Sequence, residues 1–375
     1  MKNWIILIFV VFVLSFTAKA KVDPYNTYQW NRPDNQSRNW NKPWFEWWYY
    51  KVVIPETNEA FYFVYGVVNP WDSEHKLKAT RAYVGMGDFV ARKTVDQNFN
   101  VSDFSAAYDE TRVNVAGHNE ATDKRAYGEI FNEEGESFAW NFSIEKKWSF
   151  DATGWATGKN LTNIEWYSAQ ADASCTGEVL SHGKLYKFKN TPCYQDRNWG
   201  TSFPKWWTWI VSNHFEGHPD TALSVGGGNP ILLNMRWPKI EGVAVGLKHK
   251  GVEYTFRPND LNPVKIDIRF GRWEVEARNS KYKVEISAYA PKESFLDLQF
   301  MTPQGQVFHD YEALTGEVTV KLYKKKRARL GRIGKTSYQL IDTLKSYHAG
   351  IEYGSNEIYQ LDLKSLFQKS YIHLQ

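Results

Sequence analysis

Short runs rich in Trp, Tyr, Phe and Val recur along the chain, and turn-favouring residues close each of them. Glu46–Ile54, Phe61–Val68, Ala82–Met86, Ser137–Ile144, Val243–His249, Arg272–Ala277 and Glu317–Tyr323 are examples, with Pro55-Glu-Thr-Asn58, Glu134-Gly135 and Arg278-Asn279-Ser280 as punctuation. β-Branched and aromatic side chains suit a pleated, half-buried surface, and closely spaced turns keep each strand short. Helical spacing is scarce. Residues 338–347, where Leu340, Ile341 and Leu344 share a face, and residues 361–369 are the two predicted helices. The pattern selects an all-β barrel or sandwich with few short helices over an alternating α/β fold.

The 375 residues suffice for one large all-β domain or two of ordinary size. Aromatic residues make up 16% of the chain, more than a surface needs, so an extensive core or an apolar cavity is expected. A formal net charge of +4 makes no case for a nucleic-acid binder. Lys2, the apolar run Trp4–Phe16 and the small-x-small Ala18-Lys19-Ala20 read as a signal peptide over 1–20, cleaved after Ala20, with export to the periplasm or outside the cell. The run is short for a membrane span. Residues 21–42 read as an extended polar arm. Cys175 and Cys193 form one disulfide if exported, or stay two buried thiols.

The stretch from Cys193 to Gly228 holds the densest cluster of Trp: Trp199, Trp206, Trp207 and Trp209. Asp196 stands just ahead of it, between Tyr194 and Asn198. A carboxyl among apolar rings is costly to ionise, so burial raises its pKa and lets it act as an acid near neutral pH. Indole faces stabilise a developing cation. Together these suit the protonation of an alkene, with Tyr194 donating to the acid and Asn198 orienting it. The same residues also suit a plain turn in which Asp196 pairs with Arg197. Glu46 lies in a second aromatic run, Trp44–Tyr50, where alternation can point it into a barrel as a base or a head-group ligand. A paired, structural Glu46 is the alternative.

No metal or cofactor is expected. His214 and His218 stand four apart, but Gly217 and Pro219 oppose a helix presenting both. Gly226-Gly227-Gly228 lacks the Gly-Lys-Ser/Thr sequel of a phosphate loop and reads as a tight turn or a close backbone approach. Lys324, Lys325, Lys326 and Arg327 open a basic run that is either a solvated loop tip or a contact for an anionic membrane.

Three sets of motifs carry a family resemblance. The first is Tyr194-Gln-Asp196-Arg-Asn198-Trp199-Gly200, followed by Phe203-Pro204-Lys205, Trp207-x-Trp209-Ile210 and Asn213-His-Phe215-Glu216-Gly217. The second is Pro43-Trp-Phe45-Glu46-Trp47-Trp48-Tyr49-Tyr50-Lys51, and the third Ala349-Gly350-Ile351-Glu352-Tyr353-Gly354. Taken in chain order, they resemble the tocopherol cyclase family and, more distantly, the carotenoid 1,2-hydratases. The resemblance implies two lipocalin-like antiparallel β halves, 43–190 and 191–375, with a pocket at or near their junction. It implies cofactor-free cyclisation of a prenylated phenol or quinol to a chromanol, with Asp196 as the acid. Trp47, Trp48, Trp166, Trp199, Trp207 and Trp209 would line the site for a hydrophobic isoprenoid. Addition of water to the same alkene, or carriage of a lipid without reaction, are the alternatives. Two departures stand out: Trp47 where the family has Gly, and Glu165 where the plant cyclases have His.

Overall fold

The computed structural model describes residues 22–33, 41–232, 241–326, 337–356 and 371–374. The leader over 1–20, Arg327 and the predicted helix over 361–369 lie outside them. Among the described residues the chain forms two 11-stranded antiparallel sheets and no α-helix, only short 3-10 turns. No described helix is long and apolar enough to cross a membrane.

Both sheets share one plan. The first strand of each half lies mid-sheet, paired on one side with the second strand and on the other with the last long strand. Phe45–Ile54 sits between Glu59–Val68 and Lys184–Gly200, and Trp206–Ser212 sits between Ala222–Gly228 and Tyr338–Ser355. The passage between sheets falls between Gly200 and Trp206, so residues 191–200 continue the first sheet rather than opening the second half.

Period-two alternation assigns each side chain of these central strands to one of two cores. Trp48, Tyr50 and Val52 face the interior of the first curled sheet, and Trp206 and Ile210 that of the second. Phe45, Trp47 and Tyr49 meet Trp207, Trp209 and Val211 in a third core between the sheets. Both strands are therefore buried along their whole length. That explains why their sequences are aromatic on both faces instead of alternating with polar residues.

Residues 338–347 are strand, not helix. They open Tyr338–Ser355, which pairs with Val307–Lys325. Leu344 is buried while Leu340 and Ile341 are exposed, so the ladder with a long neighbour overrides the helical spacing. Cys175 and Cys193, on adjacent strands, are joined by a disulfide with Cα atoms 5.8 Å apart. Lys324, Lys325 and Lys326 are exposed at a strand end.

Candidate active site

Between the two sheets lies a cavity of about 420 Å³, with Trp47, Trp166, Trp207, Trp209 and Phe300 among its walls. Residues far apart in sequence meet here because each central strand turns its odd-numbered face toward the other half. The strand Lys184–Gly200 contributes Asp196 and Asn198, Ile164–Ser181 contributes Trp166, and Ala222–Gly228 supplies Gly226 to Gly228. The glycine run is thus extended strand, not a turn. A Cβ on Gly226 would meet the Trp166 indole at 2.6 Å, so glycine lets that ring settle against the backbone.

Asp196 is 5% exposed and lines the cavity. Its Oδ2 accepts from Trp166 Nε1 at 2.8 Å and from the Tyr194 hydroxyl at 2.9 Å. Tyr194 in turn accepts from Trp209 Nε1 at 3.1 Å. A phenol has one proton to give, so Ser168 Oγ, 2.8 Å away, donates to Tyr194, and Ser224 Oγ, 2.8 Å further on, donates to Ser168. This chain crosses from one half to the other. Burial pushes the Asp196 carboxyl up to about 7, against the lowering effect of its two donors. With both donors on Oδ2, the proton of the neutral acid sits on Oδ1. Arg197 does not pair with Asp196: neighbouring residues of a strand point to opposite faces.

Arg197 pairs instead with Glu46 on the far side of the first sheet. The Arg197 guanidinium lies 4.4 Å from the Trp48 ring and 5.0 Å from the Trp199 ring. Glu46 also accepts from the backbone N–H of Gln29 at 2.9 Å and from Trp44 Nε1 at 3.2 Å. The structure thus corrects three expectations: Glu46, Trp48 and Trp199 do not line the cavity, because they lie on the opposite face from Trp47, Tyr49 and Asp196. Tyr194 stands behind Asp196 as its donor.

Glu165 does line the cavity. It accepts the backbone N–H groups of Gly158 and Asn160, each at 2.6 Å, and burial pushes it up to about 7. Three further acids in the wall escaped the sequence reading: Asp310, Glu312 and Glu352. The signal was present as Asp310 and Glu312, two residues apart in a buried strand, opposite the Glu352 of the third motif. Their carboxylate oxygens lie within 4.8 Å of one another, as do ligand atoms of His218, His249 and Asp342 elsewhere. Either set has the donors to hold a cation. At the second, Lys250 Nζ already lies 2.8 Å from Asp342.

The fold is two curled antiparallel sheets with an aromatic cavity between them and a buried acid in its wall. A family model described as tocopherol cyclase-like matches residues 42–134 and 112–355, and the chain belongs to that family. It is 25% identical over 299 residues to the probable chloroplastic tocopherol cyclase of Oryza sativa subsp. japonica, covering 66% of this chain and 63% of the relative. It is 25% identical over 337 residues to the chloroplastic tocopherol cyclase of Zea mays, covering 76% of this chain and 70% of that one. Two solved structures are also similar. An AttH protein of Nitrosomonas europaea matches with 15% identity and a TM-score of 0.48, over 84% of this chain and 93% of that one. Kievitone hydratase of Nectria haematococca matches with 10% identity and a TM-score of 0.46, over 92% of this chain and 100% of that one.

Proposed function

We propose that this chain is an acid-catalysed cyclase that converts a prenylated phenol or quinol to a chromanol. Asp196 Oδ1 gives its proton to the less substituted carbon of the tail alkene nearest the ring. The tertiary cation forms against the Trp47, Trp207 and Trp209 faces, which attract positive charge and exclude water. The ring hydroxyl oxygen then bonds to that carbon and loses its proton. The product is an isomer of the substrate, so the reaction consumes no cofactor.

The observation that carries this reading is the state of Asp196. An acid pushed up to about 7 by burial, with its free oxygen toward an aromatic cavity, is built to deliver a proton rather than to hold a charge. Family membership supports the same reading.

Incubation with a geranylgeranylated hydroquinone is expected to yield a product of unchanged mass that lacks one free phenol. Asp196→Asn is expected to lower turnover by at least about 10²-fold. An unaltered rate in Asp196→Asn removes the acid assignment. A product heavier by one water supports a hydratase, and stoichiometric binding without conversion supports a lipid carrier.

A further inference from the structure

The acids across the cavity from Asp196 have no task in the alkene protonation. Asp310 and Glu312 project from one face of Val307–Lys325, and Glu352 is the register partner of Glu312. The carboxylate oxygens of the three crowd within 4.8 Å of one another in the cavity wall, and the Lys51 amine is a counter-charge near Glu312. Asp310 accepts from Trp207 Nε1 at 2.9 Å and shares a hydrogen bond with the Glu352 carboxyl. Glu312 accepts the Tyr49 hydroxyl at Oε1. Its Oε2 has no hydrogen-bond partner, although Glu312 is 1% exposed. A buried polar oxygen left unpaired in a cavity wall is a place where a ligand's polar group belongs.

We propose that Asp310, Glu312 and Glu352 form the subsite for the hydroxylated ring of the substrate. Glu312 Oε2 donates to the ring oxygen next to the tail, and that hydroxyl donates to Asp310. When the oxygen bonds to the cation, the O–H electron pair stays on oxygen and the proton passes to Asp310. Its return to Asp196 through solvent closes the cycle. The arrangement selects tails attached to a ring with a free ortho hydroxyl and disfavours simple isoprenoids. This rests on the cyclase reading, but its binding arm can be tested without turnover.

The test compares binding of geranylgeranylated hydroquinone with that of its ortho-methyl ether, by tryptophan quenching in the unaltered protein, and follows turnover of the free quinol in variants. The free quinol is expected to bind about tenfold tighter, the worth of one hydrogen bond. Asp310→Asn is expected to lower kcat by about 10²-fold with KM nearly unchanged. Glu312→Leu is expected to raise KM, and Glu312→Gln, which keeps a donor, to restore it. Equal binding of quinol and ether overturns the subsite even if no variant folds. Conversion that both Asp310→Asn and Glu312→Leu leave unaltered overturns it while the cyclase reading stands. Preference for the free quinol without any conversion keeps the subsite and removes the cyclase.

Discussion

Asp196 shows how a single side chain is given its chemistry by its surroundings. Trp166 and Tyr194 both donate to one of its oxygens, and the carboxyl lines the cavity. The groups that face it across the site are Tyr49, Asp310, Glu312 and Glu352, and none is a cation. Its acid form therefore prevails below about 7 and disappears above it. The single-turnover rate is expected to fall as pH rises through 7, a limb of the profile that Asp196→Asn should abolish. Glu46 is the contrasting carboxyl, held as an ion pair with Arg197 where both side chains are fully buried. Glu46→Gln leaves the guanidinium without its counter-charge, and a loss of about 3–5 kcal/mol is expected in denaturant unfolding. A loss below 1 kcal/mol would mean that water reaches the pair.

At the scale of strands, the site depends on two faces being used at once. The sequence Glu46-Trp-Trp-Tyr-Tyr50 reads as an unbroken apolar run. Only the register shows that Trp47 and Tyr49 look outward to the other half while Glu46, Trp48 and Tyr50 look inward. A one-residue slip would exchange the two sets. Glycines serve the same interface: Gly350 and Gly354 lie beneath the Trp209 and Trp207 rings, on either side of Glu352. Gly226 lies beneath Trp166, the donor that steadies Asp196. Gly226→Val is expected to displace that ring and lower turnover well beyond its effect on melting temperature. A proportionate loss of both would indicate general unfolding instead.

For the whole molecule, the cavity places several buried acids on the seam between halves. Asp196, Glu165 and Asp310 each reach about 7, with burial as the main cause, and burial also raises Glu312 and Glu352 well above the usual carboxyl range. In each case the folded pKa exceeds the unfolded one, so over the intervening range the folded state binds more protons. The stability they contribute is present in full below the unfolded carboxyl range, near about pH 4, and declines as pH rises through 7. These acids are expected to lower the melting temperature between mildly acidic and mildly alkaline buffer. Asp196→Asn and Asp310→Asn should flatten the slope. Lys51 and His348, lowered to about 7 and about 4 by burial, act in the opposite sense, so the decisive reading is the difference in slope between the unaltered protein and each variant, and no difference would contradict the burial of these acids.

Much of the fold was legible from local pattern. Alternating aromatic runs and their turns called for antiparallel sheets, because side-chain period and turn chemistry act over a few residues. The acid beside a Trp cluster was legible for the same reason, Tyr194 and Asp196 being two apart on one strand face. What sequence alone could not determine is which face of a doubly buried strand meets which partner. That assignment removed Glu46, Trp48 and Trp199 from the cavity and brought in Asp310, Glu312 and Glu352. It also turned residues 338–347 from helix to strand. Each of these outcomes rests on pairing between segments more than a hundred residues apart or on a long neighbouring ladder, and such energies are written only in the packed structure.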